Sequence, residues 1–323
     1  MISYHASHEQ FTPRQLLHYA QLAEQHGFQG CHTSDHFHPW SERQGQSGYS
    51  FSWLGAAMQA TKFPFSIITS PGQRYHPAIV AQAIATLLEI FPDRLEVALG
   101  SGEALNEKIT GEPWPEKKLR NERLKECAKI MKQLFDGERV THFGLVKIQE
   151  AKLYTRPSNA PKLMCAALTK ETAKWAGQWA DGLLTVAQPF PQLKEMLDIF
   201  RDNGGEGKPV HVQVALSFAC NPDVALNGAY DQFRNHAVPV SQLSDVYQVA
   251  QFDKLGENVT KQQLAQTVRI SSNLSQHLDW LQKDLEVGID NLILHNVNRD
   301  QERFIEKFGA EVLPVLKVYN SKG

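Results

Sequence analysis

Three short segments of the chain are dense in side chains that can move protons, stack on a flat ring or hold an anion. They cover residues 33–40, 70–77 and 100–107, and each follows an apolar run. The first contains Asp35 and His36, a carboxylate beside the type of side chain that titrates nearest to neutral pH. Such a pair can give or take a proton at working pH. The alternative is structural: Asp35 caps the next segment and His36 is a hydrogen-bonded polar residue.

The other two candidates are an indole and a second carboxylate. Trp40 follows a proline in an expected loop, where its ring either anchors the loop or offers a plate to a planar molecule. Glu103 follows Gly100, Ser101 and Gly102, which allow close backbone approach and whose amides can face an anion or a ring carbonyl. The competing interpretation of Glu103 is a solvated carboxylate at a helix start. The short glycine pattern alone is weak evidence.

The elements that must position these segments alternate regularly. Short apolar runs are separated by polar stops and helical patterns, which is typical of parallel β/α units. The predicted strands are Ile2–Ala6, Gly30–Ser34, Phe65–Ser70, Leu95–Gly100, Lys162–Leu168, Gly182–Ala187, Val210–Phe218 and Asn291–Val297. The predicted helices include Pro13–His26, Pro77–Ile90, Glu116–Phe135, Lys170–Trp179 and Leu274–Val287. Thr12 is the expected N-cap of the first helix and Gly27 its end.

About eight such repeats predict an α/β fold, a TIM-like (β/α)8 barrel with insertions near residues 137–156 and 222–283. A doubly wound sheet needs fewer strands and usually a glycine-rich first turn, which residues 7–10 do not supply. No flexible linker divides the chain, so a single domain over 1–323 is expected. In such a barrel the C-terminal strand ends form the active face, which favours the catalytic interpretation of Asp35 and His36.

Composition excludes several classes of protein. With 42% apolar residues and a net charge of −2 the chain is neither disordered nor a coiled coil, and it lacks a basic footprint for nucleic acid. No apolar run reaches the roughly 18 residues that span a bilayer. Four separated cysteines without CxxC spacing indicate buried thiols in a reducing compartment. We therefore expect a cytoplasmic protein that binds neither nucleic acid nor membranes.

Taken together, the three segments resemble the bacterial luciferase-like superfamily of flavin- and deazaflavin-dependent oxidoreductases. The matching stretches are residues 34–37, Pro39 with Trp40, Gly100 and residues 102–107. The resemblance is close to the branch containing the deazaflavin (F420)-dependent glucose-6-phosphate dehydrogenase. It implies a usually dimeric barrel with the cofactor across its C-terminal strand ends. By position His36 matches the family's catalytic histidine, Trp40 its ring-stabilising tryptophan and Glu103 its acid.

The same resemblance implies where the cofactor lies. In the related dehydrogenase a cis peptide lies under the deazaflavin ring near the end of strand three, so the Ser70–Pro71 bond is a candidate for this isomer, which is otherwise infrequent. Asp35 and Asn106 match residues of the cofactor pocket. The expected cofactor contacts are Asp35, Ser70, Pro71, Gly100, Ser101, Gly102, Asn106, Leu168, Thr169 and Thr185.

Two departures from this branch change the expected ligands. The segments that match the sugar-phosphate site, 185–189 and 238–243 with Thr267, contain no Lys or Arg, so glucose 6-phosphate is not the expected substrate. Residues 166–170 replace a glycine pair that approaches the coenzyme phosphate, although Thr169 and Lys170 could still hold a terminal phosphate. We therefore expect FMN as the cofactor, with coenzyme F420 as the alternative.

The main hypothesis is a flavin-dependent oxidoreductase, expected to be a homodimer, that acts on a small organic substrate by hydride transfer or oxygen-dependent monooxygenation. The first alternative is an F420-dependent dehydrogenase of a non-phosphorylated alcohol or sugar. The second is a non-catalytic flavin-binding protein. The presence of both His36 and Glu103 argues against it, because a binding protein needs no paired proton-transfer groups. The last is a metal-dependent hydrolase, which ranks lowest because strand one lacks an HxH pattern. It would recruit His5, His32, His36, His76 and His295.

Overall fold

The computed structural model describes residues 1–320. The strands of this part of the chain are β1 (Ile2–Ala6), β2 (Gly30–Ser34), β3 (Phe65–Thr69), β4 (Leu95–Leu99), β5 (Val140–Phe143), β6 (Lys147–Ala151), β7 (Leu163–Ala166), β8 (Leu183–Val186), β9 (Val210–Phe218), β10 (Arg269–Ser271) and β11 (Asn291–Asn296). The α-helices are α1 (Pro13–Gln25), α2 (Ser50–Ala60), α3 (Pro77–Ile90), α4 (Ala104–Glu107), α5 (Lys117–Phe135), α6 (Lys170–Gly177), α7 (Phe190–Phe200), α8 (Pro222–Phe233), α9 (Val240–Leu243), α10 (Val249–Gly256), α11 (Lys261–Leu264), α12 (Leu274–Leu285), α13 (Gln301–Lys307) and α14 (Leu313–Asn320).

Eight strands of the described chain close into a parallel barrel. Their order is β1, β2, β3, β4, β7, β8, β9 and β11, and β11 returns to β1. The TIM-like barrel predicted from the repeats is confirmed. Several strands end one or two residues earlier than the apolar pattern suggests. The pattern overshoots because apolar side chains continue past the hydrogen-bonded ladder into the loops, as the exposed Leu168 does after β7.

Local signals also place the first helix correctly. The hydroxyl of Thr12 accepts the N–H of Gln15, whose side chain returns to the Thr12 N–H, a complete capping box. Gly27 follows the helix with a φ of +87°, the left-handed conformation that glycine adopts most readily. The two expected insertions contain their own secondary structure. The hairpin β5–β6 lies within 137–156, and α8 to α11 with β10 lie within 222–283. The assignment of one domain with two insertions stays a prediction.

The Ser70–Pro71 bond is not cis. No cis peptide bond occurs between residues 1 and 320, so the candidate raised by the resemblance is corrected. The chain reverses instead at Gly72, which has a φ of +119° and whose N–H donates to the carbonyl of Tyr75 at 2.8 Å. A glycine in this conformation redirects the backbone without an isomerised bond.

Histidines fill part of the barrel interior. The ring of His5 lies 5.4 Å from that of His32 and 4.3 Å from that of His295. His32 shares a hydrogen bond with the Ser66 hydroxyl at 2.7 Å, and His295 with the Gln10 side chain at 3.1 Å. Burial lowers the pKa of His295 to about 3 and holds the pKa of His5 and His32 well below the usual range. These three interior histidines are therefore polar but uncharged at neutral pH.

The histidine set expected of a metal-dependent hydrolase is not assembled. His76 lies outside the barrel, where it caps α3 and contacts the backbone of Lys147 in the hairpin. In the described residues no group of three or more His, Cys, Asp or Glu side chains could hold a metal ion. Within the same limits no helix has the length and apolarity needed to cross a bilayer.

Buried neutral histidines make the stability of the fold depend on pH. The pKa values of His236 and His295 lie at about 3 and that of His277 at about 4 because burial disfavours the charged ring. The unfolded chain binds protons on these rings below about pH 6.5 and the folded chain does not, so stability is lost as pH falls from 6.5 toward 4. The expected loss is about 1.4 kcal/mol per pH unit for each such histidine.

Urea titrations between pH 7 and pH 5 measure this slope. His277→Gln should reduce it, because burial lowers the pKa of His277 to about 4 in the folded chain. A free energy of unfolding that stays flat across this pH range would contradict the assignment.

Candidate active site

One side chain from α4 holds the loop that follows β2. The Oδ1 atom of Asn106 accepts the N–H groups of Phe37 at 2.8 Å and His38 at 3.1 Å. Its Nδ2 atom lies 3.1 Å from Nδ1 of His36 and donates to it when that nitrogen carries no proton. The amide orientation follows from the two backbone donors on Oδ1. Asn106 therefore sets the position of His36. Its expected contact with the cofactor stays a prediction.

A buried carboxylate from the end of β1 lies behind the same imidazole. Glu9 accepts the hydroxyls of Ser7 and Ser34, both at 2.8 Å, and its Oε1 lies 3.6 Å from His36 Nδ1. Burial alone would raise the pKa of Glu9, but His36, His5 and these hydrogen bonds outweigh it and lower the pKa to about 2. The negative charge of Glu9 therefore lies beside the imidazole, where it stabilises a positive charge that develops on the ring.

Glu103 has the opposite electrostatic environment. It precedes α4 without a hydrogen bond to the helix end, and its buried Oε2 has no hydrogen-bond partner among the described residues. Burial raises its pKa; the charge of His36 opposes this rise and that of Glu9 adds to it. A raised pKa favours the protonated carboxyl, which can donate a proton. Two carboxyls with opposite shifts beside one imidazole are typical of an acid–base site.

The indole of Trp40 forms a wall between the barrel and the insertion. Its ring lies 5.1 Å from His36, 5.3 Å from His236 and 5.2 Å from Phe252. Asn235 also donates to the Trp40 carbonyl at 2.8 Å. The insertion thus fixes the indole from behind while one side faces the catalytic histidine candidate. Trp40 is therefore an anchor of the loop and also a wall of the site.

Asp35 ties neighbouring loops together. Its Oδ2 accepts the Thr69 hydroxyl at 2.8 Å and Arg74 Nη2 at 3.3 Å, and its Oδ1 accepts the Tyr75 hydroxyl at 3.4 Å. The backbone N–H of Arg74 also reaches the buried Glu107 at 2.8 Å. Both Asp35 oxygens are engaged within the protein, so its expected contact with the cofactor stays a prediction.

The loop after β4 depends on its glycines. Gly102 has a φ of +81°, and a Cβ there would lie 2.8 Å from Glu107 Cγ and 3.2 Å from the Trp114 ring. A Cβ on Gly100 would lie 3.1 Å from the Ser70 hydroxyl, which places Ser70 beside this loop. The close approach that the sequence pattern indicates is therefore present at both positions.

The residues near the ends of β7 and β8 that the sequence assigns to the cofactor differ in exposure and in hydrogen-bond partners. Leu168 is 48% exposed at the end of β7, as expected of a residue that lines the opening. Thr169 instead accepts the N–H of Thr172 and caps α6. Thr185 is buried and its hydroxyl donates to Met196 Sδ on α7 at 3.6 Å, and its expected contact with the cofactor stays a prediction. Successive strand residues face opposite sides of a sheet, so Val186, which is 39% exposed, lies on the other face of β8.

Sequence reasoning missed Glu9 and His236. Glu9 lies just beyond β1, where the strand-end rule applies, within residues 7–10, whose only other feature in the sequence is that they lack a glycine-rich turn. The signal that could have found it is its position, because the carboxyl end of β1 meets those of β2 and β4 at one face of the barrel. His236 lies in the insertion, and nothing in its local sequence indicates that it packs on Trp40.

An imidazole, two carboxyls with opposed pKa shifts and an indole thus lie together at the face where barrel enzymes carry their active sites, an arrangement typical of acid–base chemistry. The chain matches the family model described as "Luciferase-like monooxygenase" over residues 2–287. It therefore belongs to the luciferase-like family, and it is an oxidoreductase.

Relatives within this family are more specific. The chain is 32% identical, over 98% of each chain, to the F420-dependent glucose-6-phosphate dehydrogenase of Intrasporangium calvum, and 30% identical, again over 98% of each, to that of Mycobacterium tuberculosis. A solved structure of an F420-dependent secondary alcohol dehydrogenase in complex with an F420-acetone adduct superposes with a TM-score of 0.91, at 32% identity over 98% of each chain. These relatives do not support the expectation of FMN.

The conformation of Gly102 generates a test with an internal control. Gly102→Ala should lower stability by about 1–3 kcal/mol, because the new Cβ meets Glu107 and the backbone is left-handed. Gly111→Ala has nearly the same φ, +79°, but open space around its Cβ, so it should cost only the backbone part. Thermal unfolding measures both. Equal losses would show that the contact with Glu107 does not constrain this loop.

Proposed function

We propose that the chain is an F420-dependent dehydrogenase of a non-phosphorylated secondary alcohol. The observation that supports it most is the arrangement at the barrel mouth: His36 backed by ionised Glu9, and Glu103 with a raised pKa and an unpartnered oxygen. The reaction needs one group to take a proton and another to supply one. The F420 dependence of the relatives at 30–32% identity supports the choice of coenzyme.

The residues present fit a flat ring in this mouth. Glu103 Oε2 is an orphaned buried polar atom, and the Gly100 and Gly102 backbone forms a cradle that side chains would fill. When bound, the deazaflavin accepts a hydride on a ring carbon and a proton on a ring nitrogen. We assign the ring to the space bordered by this loop, Leu168 and Trp40.

The protein's part in the reaction is proton transfer and orientation. His36 takes the hydroxyl proton of the alcohol, and the Glu9 carboxylate, 3.6 Å from the ring, stabilises the resulting cation. Glu103 holds the proton that the reduced ring requires. Trp40 limits the position of the substrate beside His36. Each group thus performs one step, and no protein side chain is oxidised.

The cations near the insertion do not favour a sugar phosphate. Residues 185–189 and 238–243 contain no Lys or Arg. Arg269, two residues after Thr267, forms an ion pair with the buried Asp284, and Arg43 pairs with Asp253 at 2.8 Å. A phosphate dianion would find its charge partners already engaged. This supports an uncharged substrate, so glucose 6-phosphate, the substrate named for two of the relatives, is not proposed here.

The coenzyme and substrate are tested together. F420 should bind, as measured by its fluorescence, and a panel of secondary alcohols should reduce it, while glucose 6-phosphate should not. Tight binding of FMN without binding of F420 would restore the FMN-dependent interpretation. Turnover with glucose 6-phosphate would overturn the substrate assignment alone.

Replacing His36 tests the proton-transfer role. His36→Ala should leave F420 affinity within a few-fold and lower turnover by roughly a hundred-fold or more, the usual scale of a lost general base. His38→Ala is the matched control, because the His38 ring contacts the Leu105 carbonyl at 2.9 Å and takes no part in the proposed transfer. Unchanged turnover in His36→Ala would remove this residue from the mechanism.

Two further expectations stay predictions. A homodimer and a cytoplasmic location are consistent with the family resemblance, and light scattering and fractionation test them.

A further inference from the structure

One carboxylate of the insertion binds three consecutive residues of the loop that carries Trp40. Asp253, on α10, accepts the Ser41 hydroxyl at 2.6 Å, the N–H of Glu42 at 3.0 Å and the Arg43 guanidinium at 2.8 Å. These residues directly follow Trp40 in the chain. The Asp253 side chain is 18% exposed, so these bonds are better shielded from water than those of a surface ion pair. A single side chain therefore fixes the turn into which Trp40 leads.

The same helix also contacts the indole directly. Phe252, the neighbour of Asp253, is buried, and its ring lies 5.2 Å from that of Trp40. At Gly256, one turn further on, a Cβ would collide with the side chain of Asn235. The glycine thus lets Asn235 lie against α10 while it donates to the Trp40 carbonyl at 2.8 Å. The ring of Trp40, its carbonyl and the turn that follows it are all held from the insertion.

The groups that transfer protons are held from other parts of the chain. His36 is anchored by Asn106 on α4 and lies beside Glu9, just beyond β1. Among the described residues no hydrogen bond or ion pair joins α10 to His36, Glu9 or Glu103. Loss of the Asp253 contacts should therefore release the indole and leave the proton-transfer groups in place. The position of the indole and the chemistry of the site can thus be separated by experiment.

We propose that Asp253 is a positioning residue for the substrate and that it acts through Trp40. This inference rests on the proposed function, in which the indole limits where the alcohol lies beside His36. A carboxylate acceptor makes hydrogen bonds that are stronger than those between neutral groups, so Asp253 stabilises one position of the turn over others. Without it the indole moves away from the substrate, which weakens substrate binding and widens the space for the substituents of the alcohol.

Steady-state kinetics with F420 and two secondary alcohols, propan-2-ol and octan-2-ol, test this assignment. Asp253→Ala should raise the KM of propan-2-ol by about ten-fold, the scale of one such hydrogen bond, and that of octan-2-ol by less, because the longer chain fills the widened space. The value of kcat and the affinity for F420 should stay within about three-fold, because the proton-transfer groups keep their own anchors. Asp253→Asn retains an acceptor for the Ser41 hydroxyl and should raise KM less than Asp253→Ala does.

Asp231→Ala is the matched control. Asp231 is the other carboxylate near Arg43, at 3.8 Å, but its side chain is 54% exposed and forms no hydrogen bond or ion pair with residues 40–42. Its removal should change KM by less than about two-fold, as expected of a surface ion pair. A lower melting temperature of Asp253→Ala without a change in KM would show a purely structural role. Equal losses of substrate and F420 binding would also overturn the assignment.

A second measurement needs no substrate and so separates this proposal from the proposed function. The chain contains six tryptophans, and labelling with 5-fluorotryptophan gives each a fluorine NMR signal, of which Trp40→Phe identifies one. Asp253→Ala should shift or broaden the Trp40 signal, and Asp231→Ala should not. An unchanged signal would overturn the assignment whether or not the chain oxidises alcohols.

The remaining outcomes are also decisive. If the wild-type chain oxidises neither alcohol, the proposed function fails, and the role of Asp253 is then decided by the Trp40 signal alone. Should Asp253→Ala not fold, Ser41→Ala removes one of the three donors and should raise KM by about three-fold with a change in the same signal. No change of either in Ser41→Ala would overturn the assignment.

Discussion

The active site depends on the three hydrogen bonds of one amide. Asn106 joins the loop after β2 to the helix that follows β4, and it does so through two backbone N–H groups and one imidazole. Because these loops come from strands that are not neighbours in the barrel, the strand ladder alone does not fix their separation. The hydrogen bonds of the Asn106 amide join the two loops directly.

The electrostatic environment gives Glu9 and Glu103 pKa values that are shifted in opposite directions, which the residue type alone does not indicate. Glu9 has serine hydroxyls and histidines around it, which lower its pKa; Glu103 has a buried oxygen without a partner among the described residues, and burial raises its pKa. Burial acts in the same direction on both, so the difference arises from the groups that face each of them. One residue type therefore supplies a stabilising anion at one end of the site and an acid at the other.

The barrel could be predicted from the sequence because its signal is local and repeated. Most barrel strands are largely apolar runs that end at polar residues, so the predicted strand positions agree with the structure to within two residues. His36, Trp40 and Glu103 could be found because they follow such runs. The contact of the Thr185 hydroxyl with Met196 could not be predicted by the same rule, since a shift of one residue along a strand turns a side chain to the opposite face. The partners of Trp40 come from an insertion with no periodic pattern.

The proton-transfer groups and the residues that hold Trp40 come from different parts of the chain. The groups that handle protons project from barrel strand ends. Phe252 and His236, which pack on the indole, and Asn235, which donates to the Trp40 carbonyl, belong to the segment inserted between β9 and β10. Substitutions in that segment can reshape the space offered to a substrate without moving His36 or either carboxyl. A family built in this way can acquire new substrates by exchanging one surface segment while its chemistry stays the same.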